Sequence, residues 1–474
     1  MSKKHLGRWV IVLFLLAALP GMTAVMAQGS ATSDPGQLAA IPYVYTESEP
    51  NNSIATADAF KQVNAGMIQE PGDVDFYRLE RPYIEDEMGT HQSVLIEVET
   101  EGFGGSRLAA VICLYKVDGW PETPFELACS EPSDTIHDSM IYYNLEMGHE
   151  YGMYPYYYVS VRAVNLNWGE PNNYRYQLLI SYPLLISAAA GGLGTGNVAG
   201  IPFQSGDILA WSSFVVNNVT YERWVMLLDL SDLNIKGNIT NIAAGWRNSD
   251  FLLIGFAANV TLPGGAGTIK PWDVAIFDPD QVGPSTRGTI RPWSSGAQLG
   301  LTTSAEKIDA VAWPEWYGPA GAQLYISTVG TATVPTTAGV GFKLPDEDIG
   351  LWKQLPAPGG WTRFQDGSTV AGMGAEDVIA FTYFRGCTNC SYHDYEDYSN
   401  LDMVIAGTAR CGPEQVFLTQ KDIFRHQWIS FATGDGSGDG DETQLRPCIR
   451  MWSGPDHGWN YNIDAFDYSG WTYK

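Results

Sequence analysis

The residues with the clearest chemistry are oxygen-bearing side chains gathered in two short segments. Four of them lie between positions 47 and 52, and two more follow at positions 73 and 75. They are Glu47, Glu49, Asn51, Asn52, Asp73 and Asp75. Calcium takes about six to eight oxygen ligands at about 2.3–2.6 Å, so this set predicts a calcium site if folding brings the two segments together. The alternative is turn chemistry, because Asn-Asn-Ser and Gly-Asp form turns and caps without a metal.

A second set of acids recurs at regular spacing in the later part of the chain. Each acid follows a loop rich in Gly, Pro or Thr and begins an apolar run, and the spacings are 66, 75 and 74 residues. The four are Asp207, Asp273, Asp348 and Asp422. In equivalent positions of a closed repeat they would form an axial ring of carboxylates able to hold a cation. The alternative is that each aspartate bonds backbone N–H groups at the start of a strand.

Six cysteines follow the first 27 residues, and an even number indicates disulfides in an exported chain. They are Cys113, Cys129, Cys387, Cys390, Cys411 and Cys448. Cys113 and Cys129 stand apart from the others, which predicts that these two form a disulfide. The remaining four allow three pairings, and a zinc ion held by all four is the alternative.

Catalytic signatures are absent from the sequence. It contains no Gly-x-Ser-x-Gly, no His-Glu-x-x-His and no phosphate-binding glycine loop. The formal net charge is −26, from 27 basic and 53 acidic residues, and this excess argues against nucleic acid or anionic lipid as a partner. We therefore predict no catalytic residues, and calcium is the one cofactor that the sequence predicts.

The first 27 residues have the pattern of a secretory signal peptide. Basic residues precede an apolar run from Trp9 to Leu19, and small residues end at Ala27. A membrane anchor is the alternative, but the apolar run is short and Pro20 follows it. We expect a secreted chain, extracellular or at the cell surface, with no membrane insertion after cleavage. Residues 28–42, rich in Gly, Ser, Ala and Pro, predict a flexible leader.

Residues 43–182 consist of short alternating runs separated by turn residues, as in 93–99 and 156–162. No window shows a long period of 3.6 residues. This pattern predicts an all-β domain of about 140 residues, a jelly-roll-like β-sandwich.

Two pairs of motifs in this region resemble the bacterial pre-peptidase C-terminal domain. The first pair is 47–53 (ESEPNNS) with 55–58 (ATAD), and the second is 66–68 (GMI) with 72–77 (GDVDFY). The resemblance implies a β-sandwich of the kind appended to secreted peptidases and other exported proteins. The arrangement is also similar to the collagen-binding domains of bacterial collagenases, in which the acidic start of the domain binds calcium.

Residues 183–474 contain a fourfold repeat of about 70 residues. One element recurs as 184–187 (LLIS), 252–256 (LLIGF), 324–330 (LYISTVG) and 403–407 (MVIAG). Four short strands per unit are typical of a β-propeller blade. The region begins with one element (184–187) and ends with another (463–468), and together these complete one blade, so the ends of the region would close the ring. The sequence thus predicts a four-bladed propeller-like domain, with an open array or a pair of sandwiches as the alternative.

These patterns favour an exported, non-enzymatic binding or adhesion protein. Its expected partner is an extracellular protein or a polysaccharide, since the acidic and aromatic insertion at 387–400 predicts a binding surface on the repeat domain. The alternative is a secreted hydrolase, a glycosidase or a peptidase, with its catalytic site in the repeat domain.

Overall fold

Almost every element of the chain is a β-strand, which confirms the all-β prediction. The computed structural model describes residues 45–467, except for 61–62, 71, 80–90, 101–107, 119–122, 133–137, 147–155, 165–173, 189–194, 246–248, 314–322, 337–340, 355–359, 368–376, 388–395, 412–415, 432–441 and 446–447. Within these ranges the helices are α1 (Gly296–Leu299) and short 3-10 turns at Ile54–Thr56, Pro263–Gly265, Ser304–Glu306 and Gly454–His457. None of the helices in these ranges is long and apolar enough to cross a membrane.

The first ten strands form two five-stranded sheets that pack together as a β-sandwich-like unit. One sheet has the order β1 (Tyr45–Thr46), β3 (Val63–Met67), β10 (Arg175–Ser181), β5 (His91–Glu99) and β8 (Ser139–Glu146). The other has the order β2 (Asp58–Phe60), β4 (Val74–Leu79), β9 (Tyr156–Ala163), β6 (Ala110–Asp118) and β7 (Thr123–Ser130). Ile96 of the first sheet and Val159 of the second belong to one buried apolar cluster. Cys113 and Cys129 lie opposite each other on β6 and β7 and form the predicted disulfide.

The rest of the described chain forms four larger antiparallel sheets, three of four strands and one of five, besides short hairpins. The first has the order β15 (Val219–Leu228), β14 (Ile208–Val216), β11 (Leu184–Ala188) and β35 (Ile463–Asp467). The second has the order β16 (Ile239–Ala244), β17 (Leu252–Phe256), β20 (Val274–Gln281) and β21 (Arg287–Ser294). The third has the order β22 (Ile308–Ala312), β23 (Gln323–Thr328), β26 (Ile349–Lys353) and β27 (Gly360–Gln365). The fourth has the order β28 (Val378–Cys387), β29 (Glu396–Ile405), β32 (Asp422–Phe431) and β33 (Glu442–Leu445), and β34 (Ile449–Ser453) also pairs with β32.

Each of these sheets carries a two-stranded hairpin at the same place in its strand order. In the first sheet the hairpin joins β11 to β14, and the other three sheets have the same connection. The hairpins are β12 (Thr195–Val198) with β13 (Ile201–Gln204), β18 (Val260–Thr261) with β19 (Thr268–Ile269), β24 (Ala332–Pro335) with β25 (Gly341–Leu344), and β30 (Thr408–Cys411) with β31 (Val416–Thr419). These hairpins explain why the repeat is longer than four short strands require.

The two ends of the repeat region meet in the first sheet. Strand β11 pairs with β14 on one side and with β35 on the other, so that Ile186 lies opposite both Leu209 and Phe466. The sequence predicted that 184–187 shares a sheet with the last element of the region. The structure confirms this for residues 463–467 of that element. Tyr468, the last residue of that element, lies outside the described residues.

One edge strand of each sheet, here called its inner strand, contacts the inner strands of the neighbouring sheets. The contacts run from β35 to β16, from β16 to β22, from β22 to β28 and from β28 back to β35. Each inner strand has a β-bulge at its second residue, which the register of the ladder skips. The bulged residues are Asp464, Thr240, Asp309 and Ile379.

Asp467 of β35 joins three of the inner strands. Its Oδ2 accepts a hydrogen bond from the Ala244 backbone N–H in β16 at 2.5 Å, and the Thr382 hydroxyl in β28 also donates to its carboxylate. Burial raises the pKa of Asp467 to about 7. The native carboxyl therefore holds its proton at pH values where the unfolded chain has lost it.

Substitution Asp467→Asn is expected to flatten the pH dependence of stability. A carboxyl whose pKa is higher in the folded state destabilises the fold as the pH rises from about 4 through 7. The amide keeps the acceptor oxygen and cannot ionise, so between about pH 5 and pH 8 the variant should lose roughly 2 kcal/mol less stability than the wild type. Urea unfolding at a series of pH values measures this difference, and parallel curves for the two proteins would contradict the assignment.

The sandwich packs against the first two of the four sheets. Arg223 of β15 extends to β5, where its Nη2 lies 3.0 Å from Glu97 Oε1 and its Nη1 contacts Glu99. Leu95 and Tyr142 of the sandwich share a buried apolar cluster with residues of those two sheets. The contact therefore combines apolar burial with a charged group that is almost fully removed from water.

Candidate metal centre

Three carboxylates of the sandwich-like unit meet at one point. One oxygen of each of Glu47, Glu49 and Asp75 lies within 4.8 Å of the others. Glu47 and Glu49 follow β1, and the Glu47 backbone N–H donates to Ala65 O, which continues the pairing of that strand with β3. Asp75 comes from β4 in the other sheet. The two sheets therefore bring the two predicted segments together.

Two tyrosines buried between the sheets hold these carboxylates. Tyr77 lies two residues after Asp75 and so shares its face of β4. The Tyr176 hydroxyl lies 2.5 Å from Asp75 Oδ2 and 2.7 Å from the Tyr77 hydroxyl. Both hydroxyl oxygens are 3.2 Å from Glu47 Oε2, and the Met67 backbone N–H donates to Glu47 Oε1 at 2.6 Å. The carboxylates are thus fixed in place by donors on three strands.

Among the described residues, no basic side chain balances the charge at this point. None of the ion pairs between described residues includes these three carboxylates. Burial raises the pKa of Asp75 to about 9, and the neighbouring Glu47 carboxylate adds to the shift. Burial also raises the pKa of Glu47. Acids so arranged require either protons or a cation between them.

Two buried oxygens at the site have no hydrogen-bond donor. Asn51 and Asp75 are both fully buried, and the Oδ1 atom of each has no partner. Asn51 is held in position because its backbone N–H donates to Glu49 Oε2 at 3.2 Å and its carbonyl accepts from Phe76 N at 3.1 Å. A buried acceptor without a donor is unfavourable in water-free surroundings, and a hard cation would satisfy both oxygens.

The other two predicted ligands bond the backbone instead. Asn52 Oδ1 accepts from the Val74 N–H at 2.8 Å, and Asp73 Oδ2 accepts from the Gln69 N–H at 2.6 Å. Both bonds shape the turn that leads into β4. Of the six predicted residues, three therefore bring their carboxylates together at the candidate centre, and Asn51 is joined to Glu49 through its backbone N–H. The other two have the turn role that was the alternative.

Sequence reasoning missed three residues that shape the centre, namely Tyr77, Tyr176 and Gly66. Tyr176 supplies a hydroxyl to Asp75, although the two are far apart in the chain. Gly66 lies beside them, and a Cβ atom there would come within 2.3 Å of the Tyr176 ring and 2.6 Å of Glu47 Oε2. Gly66 and Tyr77 both belong to the motifs quoted above, so a signal existed for these two. No pattern indicated Tyr176.

The four repeated aspartates bond the backbone of their own sheets. Asp207 accepts from the Gln204 N–H at 2.7 Å and from the Leu230 N–H at 3.1 Å. The corresponding donors are Lys270 and Gly296 for Asp273, Gly367 for Asp348, and Thr419 for Asp422. The side chains thus fasten the start of one strand to neighbouring backbone, which is the second of the two alternatives. We therefore do not propose an axial ring of carboxylates.

The third repeat shows why this role needs a donor. Three of the four aspartates accept from the N–H three residues earlier, but in the third repeat that residue is Pro345, which has no N–H. Asp348 Oδ2 lies instead 2.9 Å from Nε of Arg363. The side chain of Arg363 replaces the missing backbone donor.

The later cysteines form at least one disulfide. Cys411 and Cys448 are bonded, with their Cα atoms 5.7 Å apart. Of the three predicted pairings of the four later cysteines, this bond selects the one that joins Cys411 to Cys448. It also removes two of the four ligands that a zinc site would need. Cys390 lies outside the described residues, as does most of the insertion at 387–400, and its predicted binding surface stays a prediction.

Comparisons with protein-family models, with curated proteins and with solved structures find no match to this chain. The resemblance to the pre-peptidase C-terminal domain therefore rests on the quoted motifs alone.

Proposed function

We propose that this protein is an exported, non-enzymatic binding or adhesion protein whose sandwich-like unit holds calcium. The observation that carries the calcium part is the pair of donorless buried oxygens, Asn51 Oδ1 and Asp75 Oδ1, beside the carboxylates of Glu47 and Glu49. Together they offer at least four oxygens to one ion, and water or backbone carbonyls complete the shell of a calcium ion. The ion would join the segment after β1 to β4 and so tie the two sheets together.

We further propose that the four later sheets are the blades of a propeller with a jelly-roll-like sandwich before it. The cyclic contacts of the inner strands, the repeated bulges and the shared first sheet support this arrangement. A propeller presents connecting loops at its two ends, and such loops suit recognition of an extracellular protein or a polysaccharide. Export is supported by the signal-like start and by the two disulfides.

The alternative, a secreted hydrolase, needs two carboxyl groups that reach a substrate. In the repeat region the carboxyls of Asp309 and Asp377 lie beside each other. Asp309 is 5% exposed, so this pair does not meet a substrate from solution. The pair therefore gives the hydrolase alternative no support.

Substitution Asp75→Asn is expected to remove one bound calcium ion per chain. The amide lacks the charge that offsets a dication, whereas its shape and the bond from Tyr176 are retained. Equilibrium dialysis against radioactive calcium counts the ions, at about 0.15 M salt so that exposed carboxylates are screened. In a thermal melt the ion at this site contributes about 2.7 kcal/mol at a hundredfold excess over Kd, and the variant should lose that increment.

The matched control is Asp73→Asn, which lies two residues away and has a backbone role. It should bind as much calcium as the wild type, because its oxygen still accepts from Gln69 N–H. Equal calcium counts for the wild type and Asp75→Asn would remove the calcium proposal.

A test of recognition is a glycan array probed with the mature protein. Glycan binding that requires the insertion at 387–400 would support the proposed recognition role.

A further inference from the structure

The junctions between neighbouring inner strands can be compared with one another, because all four have the same geometry. At each junction the bulged residue of one inner strand and the residue preceding the next inner strand occupy equivalent positions. The four pairs are Thr240 with Lys307, Asp309 with Asp377, Ile379 with Asn462, and Asp464 with Asn238. Only the junction between the third and fourth sheets places two acids together.

The other junctions show that the fold does not require acids here. The Thr240 hydroxyl donates to Ile308 O of the next inner strand at 3.4 Å. Ile379 shares a buried apolar cluster with Ile463 of the next inner strand. A hydroxyl or an aliphatic side chain is therefore sufficient to pack this position, and the two acids of the remaining junction need a separate explanation.

The acids of that junction are buried and lack donors. Asp309 is 5% exposed, and neither of its carboxylate oxygens has a hydrogen-bond partner. The Asp377 carboxyl lies beside it, and its Oδ1 is also buried and without a partner. No ion pair between described residues includes either carboxylate. Two like charges beside each other, removed from water, are strongly unfavourable without a shared proton or a counter-charge.

Further oxygen atoms stand next to this pair. The side chain of Ser327 in β23, itself fully buried, lies beside Asp309. Its hydroxyl donates to Asp346 O at 3.3 Å, and the Val378 N–H reaches the same carbonyl at 3.4 Å, so this carbonyl is only weakly occupied. Two carboxylates, a hydroxyl and a carbonyl are all hard oxygen donors, the set that calcium and magnesium prefer over softer metals.

We propose that Asp309 and Asp377 form a second divalent-cation site, which joins the inner strands of the third and fourth sheets. It lies in the repeat region and is separate from the centre at Glu47, Glu49 and Asp75. The cation neutralises the two carboxylates and occupies the three oxygens that have no donor. It thereby ties together the one junction at which two acids meet.

The test counts calcium ions in the full chain by equilibrium dialysis with radioactive calcium. The wild type should bind two tightly held ions, and Asp377→Asn should bind one, with affinity for the lost ion reduced at least about tenfold. Asp377 is only partly buried, so Asp377→Asn should disturb folding less than Asp309→Asn. Both variants should bind the same number of ions. The matched control is Asp464→Asn. Asp464 is the equivalent bulged residue at the junction where the neighbouring position is an amide, Asn238, and this variant should still bind two calcium ions.

The outcomes separate this proposal from the calcium centre of the sandwich. Loss of one ion in Asp377→Asn and of the other in Asp75→Asn supports both sites. A wild type that binds one ion, lost in Asp75→Asn and kept in Asp377→Asn, overturns the second site and leaves the first. The two acids would then share a proton, and Asp377→Asn would keep the calcium-dependent rise in melting temperature of the wild type. If Asp309→Asn does not fold, the Asp377→Asn count still decides.

Discussion

Replacement of Arg223 by methionine is expected to lower the free energy of unfolding by about 3–5 kcal/mol. The Arg223 side chain is 9% exposed, and those of Glu97 and Glu99 are 3% and 9% exposed. Its Nε and Nη2 lie 3.2 and 3.0 Å from Glu97 Oε1. Methionine would fill much of the volume but leave two carboxylates buried together without a counter-charge. The contact between the sandwich and the first sheet should be the first to fail.

Urea unfolding followed by tryptophan fluorescence measures this effect. The matched control is Arg287→Met. Arg287 is exposed, and its one hydrogen-bond partner among the described residues is Gln281, so its loss should change stability by about 0.5 kcal/mol or less. The triple variant with Arg223, Glu97 and Glu99 all changed to methionine should recover most of the stability, since no unpaired charge remains. If Arg223→Met unfolds at the same urea concentration as the wild type, the cluster is not removed from water as described.

A chain that ends at Asn462 is expected to lose cooperative folding. This truncation removes β35, whose Ile463 and Phe466 are almost completely buried. Burial of two such side chains contributes about 1.5–3 kcal/mol each, and cavities and unpaired backbone groups add to the loss. The total approaches the 5–15 kcal/mol by which typical proteins are stable. Strand β11 would become an open edge, which favours aggregation.

A second truncation, after Asp467, is the control because it leaves β35 intact. It should melt cooperatively and elute as the wild type does in size-exclusion chromatography. Differential scanning calorimetry of both chains gives the comparison. A chain ending at Asn462 that melts with the same enthalpy as the wild type would mean that β35 is dispensable to the first sheet.

Much of the fold could be predicted from the sequence because its signals are local. The repeated apolar elements mark strands, and their order at the two ends of the region indicated that 184–187 and 463–467 share a sheet. The hairpins between the second and third strands of each sheet were not predicted, because they are short and vary in sequence. The bulges were also missed, since a residue such as Ile379 in a bulge looks like any other strand residue.

The candidate centre was predicted in part for a similar reason. Glu47, Glu49 and Asn51 lie within one short segment, so spacing alone identified them. Tyr176 was not predicted, because its contact with Asp75 depends on how the two sheets stack, and that is a long-range property. The distinction between Asp75 as a candidate ligand and Asp73 as a turn residue likewise depends on where β4 begins, because Asp73 precedes the strand and bonds the Gln69 N–H.

The shared first sheet has a consequence for how the chain matures. Strand β11 is made well before its partner β35, because the two lie far apart in the chain. The first sheet therefore stays incomplete until β35 has been made. Such distant pairing slows folding. In the export that we propose, such a delay would leave the chain unfolded while it crosses a membrane.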